Sequence, residues 1–226
     1  MYSFLNMEQD KVILLDFYPS MFGMRARVAF AVKGIDYEHR EEDLQNKSQL
    51  LLESNPVYKQ IPVLIHNGKP VCGSFIIVEY IDEVWKDKSP TLLPCDPYQR
   101  AQARFLADYI DKKVMETGNW IWCGEGEEKE AGKKGFAEIL KHMESDLGDK
   151  PFFGGNGFGF LDVVLITYSP WFQTYETCGN FSIQQDYPKL NLWVKRCLEI
   201  ESVSKSLANP DNVYNYYLTL KKKRGV

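Results

Sequence analysis

The chain has 226 residues, 44% of them hydrophobic and 26% charged, with a net charge of −4. Such a composition supports a packed core and lies well away from disorder, and the length admits one large domain or two small ones. The negative balance argues against a nucleic-acid partner, because neutralising phosphates needs a basic face. The terminal run Lys221-Lys222-Lys223-Arg224 reads as a solvated tail that complements a helix C-terminus.

Five cysteines (Cys72, Cys95, Cys123, Cys178 and Cys197) form no C-x-x-C pair and no ligand cluster with the three histidines, so neither a metal site nor a disulfide framework is expected. The first ten residues lack the basic flank and apolar stretch of a signal peptide. No apolar run reaches membrane-spanning length. The expectation is a cytoplasmic protein with reduced thiols and no membrane partner.

Residues 11–17 form an apolar run of buried-strand length, and Tyr18-Pro19-Ser20 is a turn. The segment from Met21 to Lys33 carries helix formers and ends at Gly34, a suitable residue just past a helix. Residues 35–40 read as a second strand and 44–53 as a short helix ended near Asn55-Pro56. Two apolar runs then flank Asn67-Gly68, which readily takes positive φ at both centres of a type I′ hairpin turn. Pro62 opens the first of these strands, where proline marks an edge or a fixed backbone. The second runs into Gly73 and Ser74, with Ser74 expected as the N-cap of an amphipathic helix from Phe75 to Trp85. Free N–H groups and the positive dipole end at such a helix start collect an anion.

Three prolines between Lys86 and Pro97 mark a linker, and everything after it reads as helix. Helices are predicted from Pro97 to about Gly118, from Glu125 to Leu147, from Phe160 to about Tyr175, from Pro188, and from about 211 to 223. The result is an α/β domain in the order β-α-β-α-β-β-α (residues 1–88), a linker (89–96) and an all-α domain (97–226). Asp162 sits at the third position of a helix start, where its carboxylate can reach back to the preceding N–H, so its reading is structural. The nearby cluster Gly154, Gly155, Gly157 and Gly159 lacks the Lys-Ser/Thr ending of a phosphate loop.

With Ile61-Pro62 before the hairpin and a serine opening the next helix, this order resembles the thioredoxin-like half of glutathione transferases, and the plant tau class in particular. The matching segments are Phe17-Tyr18-Pro19-Ser20-Met21-Phe22-Gly23, Glu41-Glu42-Asp43-Leu44 with Asn46-Lys47-Ser48, Asn55-Pro56, Ile61-Pro62-Val63-Leu64, Glu79-Tyr80-Ile81-Asp82-Glu83, Asp96-Pro97-Tyr98, and Phe153-Gly154-Gly155 leading to Gly159-Phe160-Leu161-Asp162. The resemblance runs from about residue 11 to the C-terminus. It implies a homodimer that conjugates glutathione thiolate to apolar electrophiles, or turns it on a hydroperoxide, in detoxification and stress response. Glutathione serves as co-substrate, and no cofactor or metal is implied.

A donor near a helix N-terminus lowers the pKa of a thiol by stabilising its anion. Ser20 is such a donor by position, and by resemblance it is the catalytic serine; the other reading of Ser20 is a plain helix cap. Serine here argues against a thiol–disulfide or dehydroascorbate reductase, which would use cysteine. The resemblance also implies glutathione contacts at Lys47, Gln60, Ile61, Pro62 and Ser74, with the Ile61 backbone pairing as an added strand would. It places an apolar acceptor against Phe22, Met115, Asn119, Trp122, Trp171, Tyr216 and Leu220.

Two positions depart from the family pattern. Gly73 stands where an acidic residue usually meets the glutathione ammonium, and Gln60 where lysine is common. Losing one charged partner costs on the order of 1.5–3 kcal/mol, so a ligandin-like carrier of apolar molecules with a weakened glutathione site is the alternative. A side chain should fit at position 73 unless φ is positive there, and Gly73→Glu should then tighten glutathione at no loss of stability.

Overall fold

The structure, a computed structural model, describes residues 10–224. Nine of the ten N-terminal residues searched for a signal, and the Arg224 side chain of the basic tail, lie outside the described residues.

Strand β1 (Val12–Asp16) is buried at every position and forms the middle of a sheet ordered β2-β1-β3-β4. It runs parallel to β2 (Glu38–Glu41) and antiparallel to β3 (Val63–His66), and β3 pairs with β4 (Lys69–Cys72). Alternation along β1 divides its side chains between two faces. Val12 and Leu14 join the core under α1 (Met21–Lys33) and α3 (Ser74–Val84), whereas Ile13 and Leu15 pack with Leu51 of α2 (Gln49–Ser54). The hairpin turn has positive φ at both Asn67 (49°) and Gly68 (78°), as the dipeptide predicts. The Ile61–Pro62 bond ahead of β3 is cis.

Three local boundaries differ from the sequence reading. The short helix begins at Gln49 rather than 44, because Glu42 accepts both the N–H and the hydroxyl proton of Ser48 and bends the preceding loop. The second strand starts at Glu38, three residues late. At α3 the cap is Gly73, not Ser74. Ser74 is the first helical residue, and its hydroxyl is engaged by Arg25 instead of an N–H of its own helix.

The proline-rich linker is fastened to the sheet half. The buried Lys33 ammonium meets Asp82 at 2.8 Å and donates to the carbonyls of Lys88 and Pro90, and Asp82 accepts from the N–H groups of Leu92 and Leu93.

Beyond it, α4 (Pro97–Cys123) starts at its Asp96 cap and runs past Gly118 to carry Trp122. Gly118 is not a stop but a point of close approach, where a Cβ would lie 2.8 Å from the Tyr175 ring. Helix α5 (Gly126–Leu147) follows. The single helix predicted to Tyr175 is broken by Pro170 into α6 (Phe160–Ile166), a 3₁₀ turn (Ser169–Trp171) and α7 (Phe172–Gly179). Short α8 (Ile183–Asp186), α9 (Pro188–Glu199), short α10 (Glu201–Ser206) and α11 (Pro210–Arg224) complete the chain. Asp162 accepts from the N–H groups of Phe153, Gly154 and Gly159 and from the Trp193 indole. Burial pulls its pKa up and these donors oppose the rise. Its role is to knot the glycine turn to α6 and α9.

Candidate active site

The turn from β1 to α1 brings Ser20 to the start of a helix. Its backbone is extended (φ −68°, ψ 118°), and its Oγ accepts the Gly23 N–H at 3.2 Å. The capping role is thus present, yet it occupies only a lone pair. The hydroxyl proton has no acceptor among the described residues and stays available to an anion at the helix mouth. The turn itself is gripped by side chains: Glu41 accepts the Tyr18 N–H at 2.8 Å, and the nearly buried Arg27 donates to the Tyr18 carbonyl at 2.6 Å.

Ser20 opens onto a cleft of about 390 Å³ between the sheet half and the helical half. Lys47, Gln60 and Ile61 line it on the sheet side with Phe22, and Met115, Trp122, Trp171, Tyr216 and Leu220 face them from α4, the 3₁₀ turn and α11. The far wall is an aromatic stack. Trp122 lies 5.1 Å from Trp171 and 5.1 Å from Tyr175, at interplanar angles of 28° and 23°. Tyr216 meets Phe17 edge-on at 4.9 Å, closing one end. Lys47 stands at the mouth, and its ammonium donates 2.7 Å to the Lys59 carbonyl.

Three of the anticipated site residues are not among those lining this cleft. Asn119 lines a smaller adjoining chamber of about 140 Å³ with Cys123, Tyr217 and Lys221, beyond a shared wall of Met115, Trp122 and Leu220. Residue 119 is one helical turn on from Met115 and shares its face of α4, so Met115 borders both spaces while Asn119 lies further along the helix in the smaller one. Pro62 is buried at the foot of β3 and does not line the cleft. Ser74 does not line it either. Its hydroxyl accepts from Arg25 at 2.9 Å at the start of α3. Phe17, Met21 and Leu44 line the cleft unanticipated. Phe17 carried a signal as the last apolar residue before the turn, where a strand ends at the site.

Family comparison settles what this geometry belongs to. Residues 10–83 match the glutathione S-transferase N-terminal domain and residues 126–196 its C-terminal domain. The chain is 59% identical to the probable glutathione S-transferase parA of Nicotiana tabacum, over 97% of this chain and all of that one. The chain belongs to the glutathione S-transferase family. Among solved structures, rice GST1 in complex with glutathione superposes with a TM-score of 0.91 at 46% identity, covering 97% of this chain and all of the other. The Tau class enzyme of mango gives 0.88 at 40%, covering 93% and 98%. This is a plant tau-class glutathione transferase, as the order of its motifs implied, with the thioredoxin-like and helical halves of that fold.

Within that family frame the largest feature missed by sequence reasoning is Arg25. It is fully buried, and its guanidinium joins Ser74 to the helical half through Asp111 at 2.5 Å and the Tyr168 hydroxyl at 2.9 Å. The plane is covered by the rings of Phe22 at 5.0 Å and Phe75 at 4.6 Å. Burial pushes the Tyr168 phenol well up, so it stays neutral and donates to Asp111 at 2.6 Å.

Gly73, beside Ser74, has φ +94°, and a Cβ there would come within 3.3 Å of Ile76 Cδ1. The condition for an unstrained side chain at 73 is therefore not met. Among the described residues no group of three or more His, Cys, Asp or Glu could hold a metal ion, and no helix is long and apolar enough to cross a membrane.

Proposed function

We propose that this glutathione transferase activates its co-substrate at Ser20, whose hydroxyl donates to the glutathione sulfur and favours the thiolate, the nucleophilic form. The observation that carries this reading is the Ser20 hydroxyl at the N-terminus of α1, whose proton has no acceptor among the described residues, opening into a cleft with Lys47 and Gln60 on one side and an aromatic stack on the other. The thiolate then attacks an electrophilic carbon, or a hydroperoxide oxygen, of an apolar acceptor.

Glutathione lies along the sheet side. The Ile61 backbone pairs with its cysteinyl part, Lys47 and Gln60 face the glycyl end, and Pro62 keeps the edge in place. Ser74, oriented by Arg25 at the first turn of α3, takes the γ-glutamyl carboxylate through hydroxyl and N–H, as helix starts do. The acceptor stacks against Trp122 and Trp171 with Phe22, Met115, Tyr216 and Leu220 around it. No cofactor is required. We further assign a cytoplasmic homodimer, with residues 1–88 as the glutathione domain, 89–96 as linker and 97–226 as the acceptor domain. High identity over the full length to named transferases favours catalysis over the carrier reading.

Ser20→Ala tests the assignment. Turnover with an aryl halide should fall about 10²-fold, as for loss of one donor to a developing anion, while glutathione affinity changes little because the carboxylate contacts remain. An unaltered rate in a folded variant would remove Ser20 from the chemistry.

A further inference from the structure

We propose that Trp171 is a positioning residue for Ser20, in addition to walling the acceptor cleft. Its indole Nε1–H donates 3.0 Å to the carbonyl oxygen of Pro19. That carbonyl belongs to the same peptide plane as the Ser20 N–H, which itself donates to Phe17 at 2.8 Å. Holding both ends of the plane fixes the backbone from which the Ser20 Cβ projects, and so the direction of its hydroxyl. Glu41 and Arg27 grip the preceding residue from the sheet half. From the helical half the Asn209 N–H donates to the Tyr18 hydroxyl at 3.1 Å, and Trp171, 152 residues further along the chain and only 4% exposed, holds Pro19.

The neighbouring tryptophan supplies the contrast. Trp122 stacks on Trp171 in the same wall, but its Nε1 is buried with no hydrogen-bond partner among the described residues. Two indoles of similar setting therefore differ in whether the N–H holds the catalytic turn. An acceptor resting on Trp171 presses on the side chain that aims the serine, so acceptor shape and thiolate stabilisation are coupled through one residue. This inference rests on the reading of Ser20 as thiolate donor.

The test compares Trp171→Phe, Trp122→Phe and Ser20→Ala in the full-length protein. The readouts are the ultraviolet titration of enzyme-bound glutathione thiol and the pH profile of kcat with an aryl halide. Phenylalanine keeps an aromatic ring in the wall and removes the indole N–H donor. Trp171→Phe should raise the bound thiol pKa by about 0.5–1 unit and lower kcat near pH 6.5 about three- to tenfold, with most of the loss recovered near pH 9. Trp122→Phe should change the acceptor KM and leave the thiol pKa in place. If Ser20→Ala raises the thiol pKa and Trp171→Phe does not, the positioning role is overturned and the serine assignment stands. If Ser20→Ala also leaves it unmoved, the serine assignment fails as well. Should Trp171→Phe not fold, the indole N–H resonance of Trp171 in the unmodified protein decides. It should shift with the titration of bound glutathione, and a flat response overturns the proposal.

Discussion

The guanidinium of Arg25 donates 2.9 Å to the Ser74 hydroxyl while its other amino nitrogen holds Asp111 at 2.5 Å, so one buried cation joins the start of α3 to the middle of α4. Ser74 is thereby oriented by a residue that also joins the two halves, and the start of α3 inherits the rigidity of that junction.

Arg25→Leu should accordingly lose both. Removing one partner of a buried pair strands the other, and with Asp111 still 21% exposed the cost should be about 2–4 kcal/mol. Arg25→Lys should rescue little, because a point charge cannot replace the planar fork that reaches Ser74, Asp111 and Tyr168 together. Urea denaturation and calorimetric titration of glutathione would measure the two effects. A stability change under about 0.5 kcal/mol, the range of ordinary surface substitutions, would show that the junction is held by packing alone.

Why Arg25 escaped the sequence while the hairpin did not is a matter of range. Asn67-Gly68 dictates its own turn through the φ angles its residues can adopt, and the alternation in β1 names both buried faces. Arg25 sits in a helix that reads as Met-Phe-Gly-Met-Arg-Ala-Arg, where an arginine is expected on a solvated face. Its burial depends on Asp111 and Tyr168, 86 and 143 positions away. The same holds for Asn119, whose placement behind the cleft wall follows from which face of α4 meets α7 and α11. The position of Ser20 was legible because it is local, at a strand end and a helix start. Gly118 misled because a glycine that admits a neighbouring ring looks, in one dimension, like a glycine that ends a helix.

Position 73 shows a local conformation that only the structure reveals. With φ at +94°, Gly73→Glu places a side chain in a region that costs about 1–3 kcal/mol for a non-glycine residue. The expected result is a less stable protein, not the level or improved one that the sequence suggested. Any gain in glutathione affinity from the new carboxylate would come against that strain. Thermal unfolding with and without glutathione would separate the two. Unchanged stability in the free variant would mean that the backbone relaxes to negative φ.

A pH dependence should appear at the end of β2. The Asp16 carboxylate, 3.6 Å from His39 Nε2, raises the imidazole pKa, Glu41 adds to the rise, and partial burial and Arg27 oppose it. A group whose folded pKa is raised stabilises fully below its unfolded value, about 6.5, and the benefit is lost as pH climbs through the folded value. Stability should therefore decline modestly from pH 6 upward, by no more than about 1 kcal/mol for a side chain this exposed. His39→Gln should flatten that slope. A slope equally steep in the variant would assign it to other groups.

The tightest packing constraint at the site is between Gly23 and Asp16. An ideal Cβ on Gly23 would fall 1.5 Å from Asp16 Oδ1 and 2.3 Å from its Cγ, inside the space of a carboxylate that is itself fully buried. That carboxylate faces Arg27 Nε at 3.4 Å, and Arg27 in turn grips the Tyr18 carbonyl, so displacing it disturbs the turn that ends in Ser20. Gly23→Ala should destabilise by about 2–4 kcal/mol, combining overpacking with a weakened buried ion pair. It should also lower kcat, because the Gly23 N–H donates to the Ser20 Oγ and any shift of α1 is felt there. Alanine raises helix propensity at this interior position, so propensity alone predicts the opposite sign and stability measurement decides between the two. The double variant Asp16→Ala with Gly23→Ala should be more stable than the sum of the single losses, because shortening Asp16 makes room for the new methyl group. Strict additivity in that cycle would show that the clash is relieved by movement elsewhere and that Gly23 is not held small by Asp16.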